Sequence, residues 1–164
     1  MKDLQKIAKE CIEELNAIGI KQGKILRFEI NTRAKKRWGQ CRMTPNGFTI
    51  NISYRLLGDS VDIMALKNTI MHEILHTCNG CLNHGAEWKR YADKVNRAYG
   101  YNIKRCTSAE EKGLERVQTT KIIKHKFVCE CCGQVITRQK ESNFTKHYNL
   151  YKCGRCGGDF KKLF

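Results

Sequence analysis

His72-Glu73-Ile74-Leu75-His76 sets two imidazoles and a carboxylate within five residues. On a helix, residues four apart lie about 40° apart around the axis, so His72 and His76 can offer nitrogens to one metal ion. Glu73 lies beside them, where a carboxylate can take a proton from water held at the metal. Three protein ligands and one open position make a catalytic zinc site. Two residues compete to be the third ligand: His84, on a turn eight residues past His76, and Glu87. His84 is preferred, because neutral imidazole is a common zinc ligand and Glu87 already falls inside the next helical pattern. Metzincin spacing asks for Gly at the third and His at the sixth residue after the motif. Asn79 and Leu82 stand there, so that pattern is excluded. The plainer alternative is a pair of core histidines satisfied by ordinary hydrogen bonds.

A second donor set lies near the C-terminus. Cys129-Glu-Cys-Cys132-Gly133 and Cys153-Gly-Arg-Cys156-Gly157 are two C-x-x-C-G knuckles. Four thiolates at this spacing suit a closed tetrahedral zinc in a module too small to hold a core unaided. Cys131 falls inside the first knuckle and is left out of the ligand set. The expected cofactors are thus two Zn²⁺ ions, one catalytic and one structural. Cys78-Asn-Gly-Cys81 is a third C-x-x-C, read as small turn residues in preference to a redox pair. Lys140, Lys146, Lys152 and Arg155 lie in the same region, interleaved with Phe144, Tyr148 and Tyr151. Cations with interspersed aromatics can track phosphates and stack bases, so DNA bound with weak sequence dependence is the expected partner. The competing use of these aromatics is as the module's own small core.

The elements that must position these groups follow from apolar periodicity. Leu4, Ile7, Ala8, Cys11, Ile12, Leu15 and Ile18 recur at helical spacing up to Gly19. Residues 25–31 read as a strand with Leu26, Phe28 and Ile30 on one face. A basic run spans residues 33–37, and Pro45-Asn46-Gly47 signals a hairpin leading into a strand at Phe48–Ile52. That strand or its neighbour is the candidate edge to which an extended peptide could add. Asp59 or Ser60 is expected to cap the motif helix. Ile63, Leu66, Ile70 and Ile74 make one apolar stripe on it, Met64, Met71 and Leu75 another. The helix should therefore be buried, and Asn79-Gly80 should end it. Trp88, Tyr91, Ala92, Val95 and Tyr99 mark the next helix. Thr107–Glu111 reads as a capping box opening a short polar helix to about Val117.

With 164 residues, the chain has room for one domain and a small module. The expected division is 1–106 for the domain, 107–118 for a connector and 119–164 for a zinc ribbon. Lys and Arg number 31 against 16 acids, a net charge of +15, which favours polyanion partners. Ten cysteines raise the possibility of a secreted disulfide protein. The opening residues lead into an amphipathic pattern instead of a signal peptide, and four of the cysteines have metal spacing. A reducing, cytoplasmic setting is therefore expected. No apolar run approaches the length of a membrane span, and a monomer is expected.

Taken together, Trp38-Gly-Gln-Cys-Arg42, Ile50-Asn-Ile52, Met71–His76, His84-Gly85, Glu87-Trp88-Lys89 and Tyr151–Gly158 resemble SprT-like proteins. These include the Spartan proteases that cut proteins crosslinked to DNA. The resemblance runs from about Leu4 to Phe160. It implies an α+β, zincin-like metallopeptidase domain, with its HExxH helix packed on a small sheet, followed by a zinc ribbon. It also implies zinc ligation by His72, His76 and His84, Glu73 as catalytic base, and protein substrates that are DNA-associated or DNA-crosslinked. Two other classes compete with it. One is a non-catalytic nucleic-acid adaptor whose HExxH zinc is closed by Glu87 or Cys78. The other is a metal-dependent hydrolase of a non-peptide bond.

Overall fold

The computed structural model describes residues 1–34, 36–117 and 122–164. Lys35 of the basic run and the expected boundary at 118/119 lie outside them. The chain divides into two compact units, Met1–Val117 and Gln118–Phe164.

The first unit has α+β architecture. Helix α1 (Leu4–Ala17) is capped by Asp3, whose carboxylate accepts from the Gln5 and Lys6 backbone N–H groups. Strands β1 (Ile25–Asn31), β2 (Gly39–Thr44) and β3 (Gly47–Ser53) form one sheet in the order β1-β3-β2. β2 and β3 are an antiparallel hairpin closed by the Thr44–Gly47 pair, and β1 runs parallel to β3. Helices α2 (Ile63–Leu75) and α3 (Ala86–Tyr99) follow. α2 is the hub: it packs on α1, α3, β2 and β3. Leu66, Ile70 and Ile74 from α2, Leu15 from α1, Ile50 and Ile52 from β3 and Val95 from α3 are all sealed from solvent.

Several expectations are corrected. Phe48–Ile52 belongs to β3, which is the central strand. The edge beside α2 is its neighbour β2, the alternative that the sequence leaves open. On β1, Leu26 and Ile30 are exposed, whereas Ile25 and Phe28 pack on the core. A register shift between Ile25 and Arg27 breaks the two-residue alternation there, which puts Ile25 and Phe28 on the core side and Leu26 outside; Ile30 lies beyond the shift, near the strand's end. Asp62 caps α2, accepting from Met64 N at 3.0 Å, while Asp59 pairs with the terminal ammonium at 2.8 Å. α2 stops at Leu75, well before Gly80. There Thr77 Oγ1 donates to the Ile74 carbonyl at 2.7 Å and the Thr77 N–H reaches the same oxygen at 2.8 Å, tightening the last turn. The capping box after Thr107 forms: Ser108 N donates to Glu111 at 2.8 Å and Glu111 N to Ser108 Oγ at 3.2 Å. It opens only a single 3₁₀ turn, Glu110–Lys112, which ends at Gly113 with φ 65°.

The second unit holds β4 (His125–Cys129), β5 (Val135–Arg138) and β6 (Phe160–Lys162) in the order β5-β4-β6, with the one-turn helix α4 (Asn143–Lys146). Its core is small: Phe127, Phe160, Cys129 and Cys153, with Phe144 and Tyr148 packed alongside. Among the described residues no helix is long and apolar enough to cross a membrane.

Candidate metal centres and active site

Three elements bring the histidines together. His72 lies in the last turn of α2, and His76 is its C-terminal cap residue. His84 sits in the turn that enters α3, held where Gly85 N donates to Asn83 Oδ1 at 3.0 Å. The Nε2 atoms are 3.3 Å apart for His72 and His76, 3.2 Å for His76 and His84, and 3.0 Å for His84 and His72. His72 Nδ1 donates to the Lys104 carbonyl at 3.0 Å, and His76 Nδ1 donates to the Cys81 carbonyl at 2.8 Å. Carbonyl oxygens only accept, so both rings carry their proton on Nδ1 and turn bare Nε2 lone pairs toward each other. Facing lone pairs repel unless a cation lies between them. Four donors at zinc–nitrogen bonds of about 2.0–2.1 Å around a tetrahedron stand roughly 3.3 Å apart, so the spacing fits that ion. Among the described residues the group has these three members, which leaves one tetrahedral position open. Glu87 is turned to a different use: its carboxylate pairs with the Arg90 guanidinium.

Trp88 forms the wall behind all three rings, with centroids 4.6 Å from His84, 4.8 Å from His72 and 5.6 Å from His76. Burial lowers the basicity of each imidazole, His72 most clearly, to about 4. At neutral pH the rings are therefore in the uncharged form that binds metal. Sequence periodicity put Trp88 on a core face without linking it to the site.

Glu73 reaches from α2 toward β2, lines the same cleft as the three histidines, and is 7% exposed. Burial raises its carboxyl to about 7, against the opposing pull of the Cys41 backbone N–H and the Arg37 and Lys112 charges. A carboxyl near 7 can both accept and return a proton at neutral pH. Gly39 makes this placement possible: a Cβ there would lie 2.5 Å from Glu73 Oε1. Lys112 also went unread in the sequence. It is 4% exposed, and its ammonium donates to Thr69 Oγ1 at 2.7 Å on the same side of α2. No local pattern marks it, because a lysine in a polar segment ordinarily faces water.

In the second unit the four knuckle thiols converge: Cys129 and Cys156 Sγ lie 3.5 Å apart, Cys132 and Cys153 3.7 Å. Tetrahedral zinc–thiolate bonds of about 2.3 Å ask for nearly 3.8 Å, so this group fits a closed site. The backbone N–H of Cys132 is the main influence that lowers the Cys129 thiol to about 7. Gly158 closes over the cluster, where a Cβ would meet Cys131 Cβ at 2.6 Å and Cys129 Sγ at 3.1 Å. Cys131 itself is exposed and outside the group. Cys78 and Cys81 are buried free thiols of the first unit's core.

Lys140, Lys146, Lys152 and Arg155 are all exposed, but not equally available. Lys152 pairs with Asp159 at 2.6 Å and Lys146 lies 3.7 Å from Glu141. Of the aromatics, Phe144 is a core residue 4.9 Å from Phe127, whereas Tyr151 remains 41% exposed.

The model of the SprT-like family matches residues 8–107, a stretch that contains the three histidines and Glu73. No curated protein matches the chain.

Proposed function

The chain belongs to the SprT-like family, and on that premise we propose that it is a zinc-dependent endopeptidase acting on proteins associated with DNA. The observation that carries the reading is the pairing of two environments on α2. Three neutral imidazoles converge on one side of the helix end, and a buried carboxyl with a raised pKa stands beside them. Zinc, when bound by His72, His76 and His84, supplies Lewis acidity toward a carbonyl oxygen and makes water more acidic. The chain's own residues do the rest. The Lys104 and Cys81 carbonyls fix the tautomers and aim the Nε2 atoms. Trp88 excludes water from behind the rings. Glu73 accepts a proton from the attacking water and delivers it to the departing amine nitrogen, a double duty suited to a carboxyl near 7. Edge strand β2, with Cys41 and Met43 lining the cleft beside Glu73, can pair with an extended substrate through backbone bonds.

The Cys129, Cys132, Cys153 and Cys156 cluster is read as a structural zinc site, with the second unit supplying nucleic-acid contacts through Lys140, Arg155 and the face of Tyr151. The test is cleavage of casein or histone by zinc-loaded protein, with and without single-stranded DNA, beside a Glu73→Gln control. Cleavage lost in that variant with zinc retained supports the reading. Turnover in Glu73→Gln equal to that of the wild type refutes it.

A further inference from the structure

A cavity of about 270 Å³ opens beside Glu73 and His72 on the side of α2 away from Met43 and Leu82, and its walls are cationic. Lys36 and Arg37 come from the approach to β2, Arg105 from the segment after α3, and Lys112 from the 3₁₀ turn. Lys104 also lines it, but pairs with Glu111 at 2.9 Å. Glu73 is the cavity's own acid. Four cations therefore face one carboxyl that is needed for chemistry.

Lys112 is the informative member. A lysine is almost never buried without compensation. Here the ammonium makes one good hydrogen bond, to Thr69 Oγ1 at 2.7 Å, and one long one, to the Ala65 carbonyl at 3.4 Å. An ammonium has three protons to donate, so one is left for an occupant of the cavity. The cavity also carries Trp38, whose ring is held by the Arg55 guanidinium 4.9 Å from its centroid, giving one flat wall among the charges.

We propose that this cavity is a specificity subsite that receives an acidic side chain of the substrate, an Asp or Glu next to the scissile bond. The inference rests on the endopeptidase reading. The occupant shares walls with Glu73 and His72, so it must belong to the chain being cut. A nucleic-acid phosphate seated there would stand where the peptide has to pass. The compact size and the buried ammonium at its floor suit one carboxylate, held by charge-assisted bonds. Arg37 and Arg105 at its exposed rim supply the planar donors that grip carboxylates.

The test uses matched fluorescent peptides that differ only in Glu, Gln or Lys at one position, moved stepwise across the scissile bond. With zinc-loaded wild-type protein, Glu should exceed Gln in kcat/KM by about ten- to a hundredfold at one register, the worth of one or two charge-assisted bonds. In Arg37→Gln/Arg105→Gln the Glu advantage over Gln should shrink toward one; the ratio is the readout, because Arg37 also acts on Glu73 and that effect falls equally on both peptides. Lys112→Met should shrink it as well. Binding of the same peptides to Glu73→Gln by fluorescence anisotropy separates recognition from chemistry, and the order Glu over Gln over Lys is expected. Equal affinity for Glu and Gln at every register overturns the subsite even if cleavage is robust. Preferred binding of Glu by Glu73→Gln, lost in the arginine variant, sustains the subsite even if wild type cuts nothing and the peptidase reading fails. A single-stranded oligonucleotide that displaces the Glu peptide from wild-type protein but not from the arginine variant would assign the cavity to phosphate and overturn the proposal.

Discussion

Gly39 and Glu73, one on edge strand β2 and the other on α2, are in such close approach that a Cβ on the first would lie 2.5 Å from Oε1 of the second. No side chain fits there without moving the carboxylate or the strand. Gly39→Ala should therefore leave zinc content unchanged and lower turnover by roughly a hundredfold, the typical cost of displacing a reacting group by about 1 Å. Elemental analysis and kcat for the variant check this. Full activity would mean that Glu73 has slack in its seat.

Zinc stoichiometry tests both donor sets at once. Wild-type protein should carry two zincs per chain, and His76→Ala and Cys153→Ser one each. Among first-unit variants, His84→Ala should release zinc to a chelator sooner than Glu87→Ala, because the Glu87 carboxylate is engaged by Arg90. The reverse order would make Glu87 a ligand.

His72 should withdraw stability from the metal-free first unit in a defined acid window. His72 stays neutral in the folded chain until about pH 4, against 6.5 for the free group. Between those values the unfolded chain binds more protons, so stability falls as pH falls. Both tryptophans, Trp38 and Trp88, lie in this unit, so their fluorescence reports its unfolding alone. Glu73, raised to about 7 by burial, takes up its proton in the folded chain first and pushes stability the other way in the same window. The His72 contribution is therefore read as a difference: between pH 6.5 and pH 4 the urea midpoint of chelated wild type should fall relative to that of His72→Asn. Parallel midpoints for the two proteins would show that His72 protonates without cost.

Nucleic-acid binding, if it runs through the second unit, should depend on its unpaired cations. Each phosphate contact on a single strand contributes about −0.7 to the log–log salt slope. Lys140→Gln/Arg155→Gln should make the slope shallower by roughly 1.4, whereas Lys152→Gln should change it less, since Asp159 already holds that ammonium. Equal effects from all three substitutions would indicate a response to net charge alone.

The residues read correctly in the sequence are those whose relation is covalent or helical. His72 and His76 share a helix face because four residues make just over one turn, and the knuckle thiols pair because two intervening residues leave them little choice. The Asp3-capped helix α1 and the hairpin at Pro45-Asn46 were legible for the same local reason. His84 was legible as a preference, and its convergence with the other two rings depends on how the turn into α3 folds back. The order of strands was not legible, because no local pattern says that β1 will pair with β3 and leave β2 at the edge. Neither was the pairing of Lys152 with Asp159, nor the cation-lined cavity. Residues 36–39, 72–73, 104–107 and 112 meet only after the chain has passed through β2, α2 and α3. Burial of α2 decided that meeting: packing it on both neighbouring helices and the sheet left one flank, beside Glu73, for whichever segments returned there. Spacing along the chain thus determined which donor atoms could meet at one ion. What stands around them, and which charge lines the neighbouring cavity, was decided by long-range packing.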